Sequence, residues 1–85
     1  MQCFIYKSRR KDELYLYLDQ LDNFSKVPEV LLKSIGDPIF VMEIKLTPQR
    51  KLAREDAQHV ISQLQAKGFF IQMPPTQFPA TAKLQ

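Results

Sequence analysis

One histidine, His59, and one cysteine, Cys3, are the side chains in this 85-residue chain best suited to general-base or nucleophilic work. A general base needs an oriented partner and a reacting group within reach. His59 falls in a stretch of helical period, about 140° from the centre of its apolar stripe. Glu55 stands one turn before it and Gln63 one turn after, so the spacing predicts an ordinary exposed histidine. A nucleophilic thiol needs its pKa lowered by a histidine, a cation or a helix N-terminus. Cys3 sits in an extended run, and Lys7, nominally on the same face, is roughly 13 Å away along a strand. This predicts a buried, inert thiol. One Cys and one His do not make a structural zinc site. Glu55 and Asp56 diverge by about 100° on a helix, and Asp12 and Glu13 would point to opposite faces if both lay in a strand, so no acidic metal site is expected. Gly36 and Gly68 are isolated, which leaves no phosphate loop and no dinucleotide fingerprint. No catalytic residue, cofactor or metal is expected.

The residues with binding chemistry are basic and aromatic. Lys7, Arg9, Arg10 and Lys11 form one group, and Arg50, Lys51 and Arg54 a second. Tyr6, Tyr15 and Tyr17 lie on either side of the first group, with Tyr6 able to face Tyr15 or Tyr17 across a hairpin. Exposed aromatic rings beside cations suit single-stranded RNA. The competing expectation is that the rings pack under a helix with their hydroxyls at the rim. The candidate nucleic-acid or partner contacts are therefore Lys7, Arg9, Arg10, Lys11, Arg50, Lys51, Arg54, Tyr15 and Tyr17.

The elements that must position them follow from periodicity. Residues 2–7 and 13–19 alternate with period two and read as a hairpin joined by a short polar link. Phe24 is expected to anchor the connector that follows. Pro28 and Glu29 open a short helix, with Val30, Leu31 and Ile35 facing inwards and Leu32 at the margin. Gly36 and Pro38 end it. Residues 39–46 form a strand with Phe40, Met42, Ile44 and Leu46 on one face and Ile39 and Val41 on the other. Apolar residues on both faces suggest a central strand. Residues 53–67 form the main helix, with Ala53, Ala57, Val60, Ile61 and Leu64 in one stripe and Glu55 and Asp56 in its first turn. Phe69–Met73 is a last strand, ended by Pro74 and Pro75. Residues 76–85 carry no period and are expected to be a loosely attached tail.

The order strand, strand, helix, strand, helix, strand predicts one α/β domain over residues 1–75. A four-stranded mixed sheet is expected, with the long helix joining the third and fourth strands in parallel. One helix on each face is favoured. If both helical connections are crossovers, the 8–12 and 47–52 loops lie at opposite ends of the sheet. If the short helix returns the third strand antiparallel to the second, they share an end.

Composition agrees with a folded domain: 45% hydrophobic, 25% charged, two Gly and six Pro. One Cys precludes an internal disulfide, the N-terminal apolar stretch is too short for a signal segment, and no run approaches a membrane span. A cytoplasmic monomer is expected. The net charge of +3 is mild for a dedicated nucleic-acid binder.

Phe4–Ser8, Leu14–Tyr17, Phe24–Pro28 leading into Leu31–Lys33 and Gly36–Pro38, Leu52–Asp56, and Lys67–Pro75 follow one another in an order that resembles the YcgL-domain family of small bacterial proteins. The resemblance covers about residues 1–75 and implies an α/β/α sandwich. It brings no catalytic residue to carry over. By elimination of chemistry, the first functional expectation is a small non-catalytic protein-interaction or regulatory module. An RNA-associated module using the basic loops and tyrosines is the alternative, and a small enzyme with a non-local site is third.

Overall fold

The structure is a computed structural model, and it describes residues 1–52 and 55–73. Strand β1 (Gln2–Lys7) and strand β2 (Tyr15–Leu18) form the expected antiparallel hairpin, with Ile5 opposite Tyr17 and Lys7 opposite Tyr15. The second strand is shorter than predicted. Glu13 adopts φ 62° and belongs to the turn, and the Leu14 N–H donates to the Lys11 carbonyl. Alternation then sends Cys3, Ile5, Tyr15 and Tyr17 to one side of the sheet and Phe4, Tyr6, Leu14, Leu16 and Leu18 to the other. Tyr6 therefore faces away from Tyr15 and Tyr17 rather than across from them.

The hairpin is the middle of the sheet. Strand β3 (Ile39–Lys45) pairs antiparallel with the outer edge of β1, and strand β4 (Phe69–Gln72) pairs antiparallel with the outer edge of β2, giving the order β3-β1-β2-β4. This corrects the expected mixed sheet. The third and fourth strands are not neighbours but occupy opposite edges. β2 and β3 both run against β1 and so point the same way, which makes the short-helix connection the crossover. The periodicity of each strand is the same whichever neighbour it has, so the pattern alone did not contain this order.

β3 is accordingly an edge strand, not a central one. Its register with β1 shifts between Ile5 and Tyr6: Met42 lies opposite Ile5, and Phe40 lies opposite Tyr6. Val41 is the extra residue of a bulge. Strict alternation placed Phe40 and Met42 on one face, but the bulge puts them on opposite faces. Phe40 meets the Tyr6 ring edge-on at 5.5 Å.

Helix α1 (Glu29–Ile35) and helix α2 (Ala57–Lys67) cover opposite faces of the sheet, as the sandwich expectation required. Under α2 lie Cys3, Ile5, Tyr17, Ile44, Leu46, Ala57, Val60 and Leu64. Under α1 lie Tyr6, Leu14, Leu16, Leu18, Val27 and Ile35, with Phe24 edge-on to Tyr6 at 5.1 Å as the connector's anchor. Val30 is 80% exposed, contrary to expectation. It lies about 140° around the helix from Ile35, so in a helix this short Leu31 and Leu32 fill the inward stripe instead. α2 starts one turn later than predicted, with Asp56 in an extended N-cap conformation and Gly68 in the left-handed conformation closing it. Ala53 and the predicted tail, 76–85, fall outside the described residues.

Candidate functional site

The basic hairpin loop is bound to the end of α1 through Ser8. Its hydroxyl donates to the Ile35 carbonyl at 2.7 Å and accepts from the backbone N–H groups of Arg10 at 3.1 Å and Lys11 at 2.8 Å. Ser8 bends the chain this way because a hydroxyl can capture the amides two and three residues on. The Arg9 and Arg10 amides also donate to the Ile35 carbonyl. One carbonyl at the helix C-terminus thus collects three donors from the loop. The positive loop and the negative end of the helix dipole attract one another in this arrangement.

Gly36 completes the junction. Its φ is +78°, and a Cβ there would stand 2.9 Å from Cγ of Arg10. The bare backbone lets the Arg10 stem lie against the helix end. Between the loop and α1 opens a cleft of about 540 Å³, lined by Arg9, Arg10, Glu29, Leu32, Lys33, Gly36 and Asp37. A second cleft of about 400 Å³ adjoins it, and Arg9 lines both. Lys7, Ser8, Asp12, Glu13, Tyr15 and Ile39 complete the second. Lys33 and Glu29 pair with each other at 3.7 Å along the exposed face of α1. Among the described residues, Arg9 and Arg10 make no ion pair.

The sequence-predicted contacts divide accordingly. Lys7, Arg9, Arg10 and Lys11 gather at the hairpin end with half-buried Tyr15 beside them. Arg50 and Lys51 lie past the far end of β3, where Lys45 is opposite Gln2, so the two basic groups occupy opposite ends of the sheet. Arg54 falls outside the described residues. Tyr17 is 5% exposed beneath α2, and its hydroxyl donates to Oε1 of Gln72 at 2.6 Å. Its ring has no open face on which a base could stack. Ser8, Lys33 and Gly36 were missed as parts of the site. A Ser two residues before Arg10 was a local signal for the loop. Lys33 and Gly36 carried none, because the fold alone brings them to the hairpin.

Cys3 is fully buried, and its thiol is pushed up to about 12, first by burial and then by the Asp19 carboxylate, against a smaller opposing effect of the N-terminal ammonium. It stays protonated at neutral pH. His59 is exposed, but its ring meets Phe70 edge-on at 5.6 Å. Neither residue lines either cleft at the hairpin end. Among the described residues no group of three or more His, Cys, Asp or Glu side chains could hold a metal ion, and no helix is long and apolar enough to cross a membrane.

A second surface feature lies on β3. Phe40, Val41 and Met42 are 49%, 38% and 47% exposed in succession, on a strand whose outer edge has no sheet neighbour among the described residues.

Comparison with known proteins bears on the whole arrangement. The YcgL domain profile matches residues 3–75. A YcgL domain-containing protein of Stutzerimonas stutzeri is 49% identical over 75 residues, covering 88% of this chain and 77% of the relative. One from Pseudomonas paraeruginosa is 49% identical over 73 residues, covering 86% and 75%. One from Thioalkalivibrio sulfidiphilus is 47% identical over 75 residues, covering 88% and 93%. The names of these relatives state the domain and no activity. The matched span runs from the first strand through the last and so includes the hairpin, both helices and both clefts: the chain belongs to the YcgL-domain family.

Proposed function

We propose that this domain is a small, non-catalytic protein-interaction module that receives an extended segment of its partner along the outer edge of β3. The observation that carries the reading is the run Phe40-Val41-Met42, exposed on an edge strand. An edge presents unpaired backbone N–H and C=O groups, interrupted here at the Val41 bulge, and the side chains of Phe40 and Met42 on opposite faces of the strand can grip an added one. Contiguous exposed apolar surface on a small domain marks interaction sites. The high pKa and burial of Cys3 also fit a module without nucleophilic chemistry. A cytoplasmic monomer is part of the same reading, since a chain with one cysteine relies on no internal disulfide.

The RNA-associated reading keeps one observation in its favour, the placement of Tyr15 in a cleft with Lys7 and Arg9. The separation of the basic groups and the burial of Tyr17 give it less support than the edge strand gives the first.

Site-specific photo-crosslinking in a host cell tests the protein-interaction reading. A crosslinker at Val41 should give a discrete protein adduct, and the same group at exposed Gln58 on α2 should not. Met42→Lys, with folding verified by amide NMR, should remove the adduct. Equal adducts from both positions, or none from Val41, would overturn the reading.

A further inference from the structure

We propose that the cleft between the hairpin loop and α1 is a binding site for the phosphate monoester of a small hydroxylated molecule. This rests on different residues from the β3 edge and stands apart from it.

Charge leads to this class of ligand. Of the five charged side chains lining the larger cleft, Glu29 and Lys33 lie 3.7 Å apart as an exposed pair of no net charge. That leaves the two guanidinium groups of Arg9 and Arg10, without an ion-pair partner among the described residues, and the carboxylate of Asp37. Two guanidinium groups oppose the two charges of a phosphate monoester dianion, with Asp37 offsetting one of them, and offer more N–H donors than one carboxylate can accept. The planar fork of Arg suits phosphate oxygens in particular. Asp37 repels an anion but accepts from hydroxyl groups, so a ligand with phosphate at one end and hydroxyls at the other answers both signs. The cleft volume of about 540 Å³ falls in the range of small-molecule sites.

Preorganisation is the second argument. Surface arginines usually lose much rotamer and backbone freedom when they clamp a ligand. Here the backbone of both arginines is already held, through the Ile35 carbonyl and the Ser8 hydroxyl. The Arg10 stem is seated against Gly36, where any side chain would collide with it. Two arginines with held backbones thus line one cleft.

The test is titration of the ¹⁵N-labelled protein, followed by amide NMR, at constant ionic strength. The probes are inorganic phosphate, ribose 5-phosphate, acetate and a single-stranded RNA oligomer lacking terminal phosphates. Ribose 5-phosphate should bind saturably, with shifts centred on Arg9, Arg10, Lys33 and Gly36, and inorganic phosphate should bind at the same place more weakly. The Arg9→Gln, Arg10→Gln double variant should weaken ribose 5-phosphate by about tenfold or more. Arg50→Gln with Lys51→Gln, at the other end of the sheet, should leave it unchanged. Asp37→Ala removes the hydroxyl acceptor and relieves repulsion of either anion, so it should tighten inorganic phosphate and narrow the advantage of ribose 5-phosphate over it, a split that general loss of structure would not produce. No saturation of ribose 5-phosphate by about 10 mM would overturn the proposal. Acetate binding as tightly as phosphate, equal weakening by the Arg50 and Lys51 changes, or tighter binding of the RNA oligomer would each overturn it as well.

Discussion

Replacing Ser8 with Ala should loosen the hairpin loop from α1 and cost about 1–2 kcal/mol. The hydroxyl makes three hydrogen bonds, but their losses are unequal. The Ile35 carbonyl keeps the Arg9 and Arg10 amides as donors, so it is not left unsatisfied. The Arg10 amide likewise keeps the Ile35 carbonyl, at 3.3 Å. The Lys11 amide loses the Ser8 oxygen and has only water to replace it. A typical intramolecular hydrogen bond contributes about 0.5–1.5 kcal/mol net, and an abandoned buried group costs about 1–3. One bond fully lost, two partly compensated, and a loop that water can enter give the lower half of the possible sum. Urea unfolding should show a lower midpoint at unchanged slope, and the melting temperature should fall by about 4–8 °C per kcal/mol for a domain of this length. Amide hydrogen exchange should quicken at Lys11 more than at Arg10, since only Arg10 retains a protein acceptor. A loss under about 0.5 kcal/mol, or unchanged exchange at Lys11, would refute the idea that Ser8 holds the loop.

Gly36→Ala should destabilise by about 1–2 kcal/mol, because an L-residue is strained at this positive φ and the new methyl group meets Arg10; thermal denaturation checks it, and an unchanged melting temperature would contradict the close contact. Leu64→Ala, emptying a position only 1% exposed under α2, should cost about 2–5 kcal/mol. His59→Ala forfeits one exposed edge-on ring contact and should cost no more than about 1 kcal/mol, so equal losses in chemical denaturation would show that the helix is wrongly phased. The Cys3 thiol, with a folded pKa of about 12 against an ordinary 9.0, binds its proton more tightly when folded. Its contribution to stability is therefore fully present below about pH 9 and is lost as pH rises towards 12, with a slope of at most about 1.4 kcal/mol per unit. Urea titrations across that range should show the loss in wild type and a shallower one in Cys3→Ala. A thiol reagent at pH 8 should label Cys3 only on unfolding, and rapid native labelling would contradict its burial.

Much of this domain could be read from short stretches of sequence. Cys3, Ile5 and Tyr17 against Phe4, Tyr6 and Leu16 declare two faces of a hairpin because side-chain direction in a strand depends only on parity. Gly36 and Gly68 mark helix ends because positive φ is cheapest without a Cβ. The inert environments of Cys3 and the exposure of His59 followed from the same local phases. The ordered set of segments from Phe4 to Pro75 also sufficed to identify the family.

The tertiary structure decided what depends on separated parts of the chain. Strand order is set by which edge of the hairpin each later strand can reach, and β3 and β4 have the same local pattern on either edge. The bulge at Val41 depends on β1's register, so Phe40 turned to Tyr6 against its own alternation. Direction then decided the fate of the basic groups. Because β3 runs with β2, the loop after it opens at the opposite end from Arg9 and Arg10. The cleft itself exists because Ser8 and Ile35, 27 residues apart, meet through one hydroxyl. No periodicity in either segment encodes that meeting. It arises when packing of α1 on one face of the sheet brings the helix end to the turn of the central hairpin.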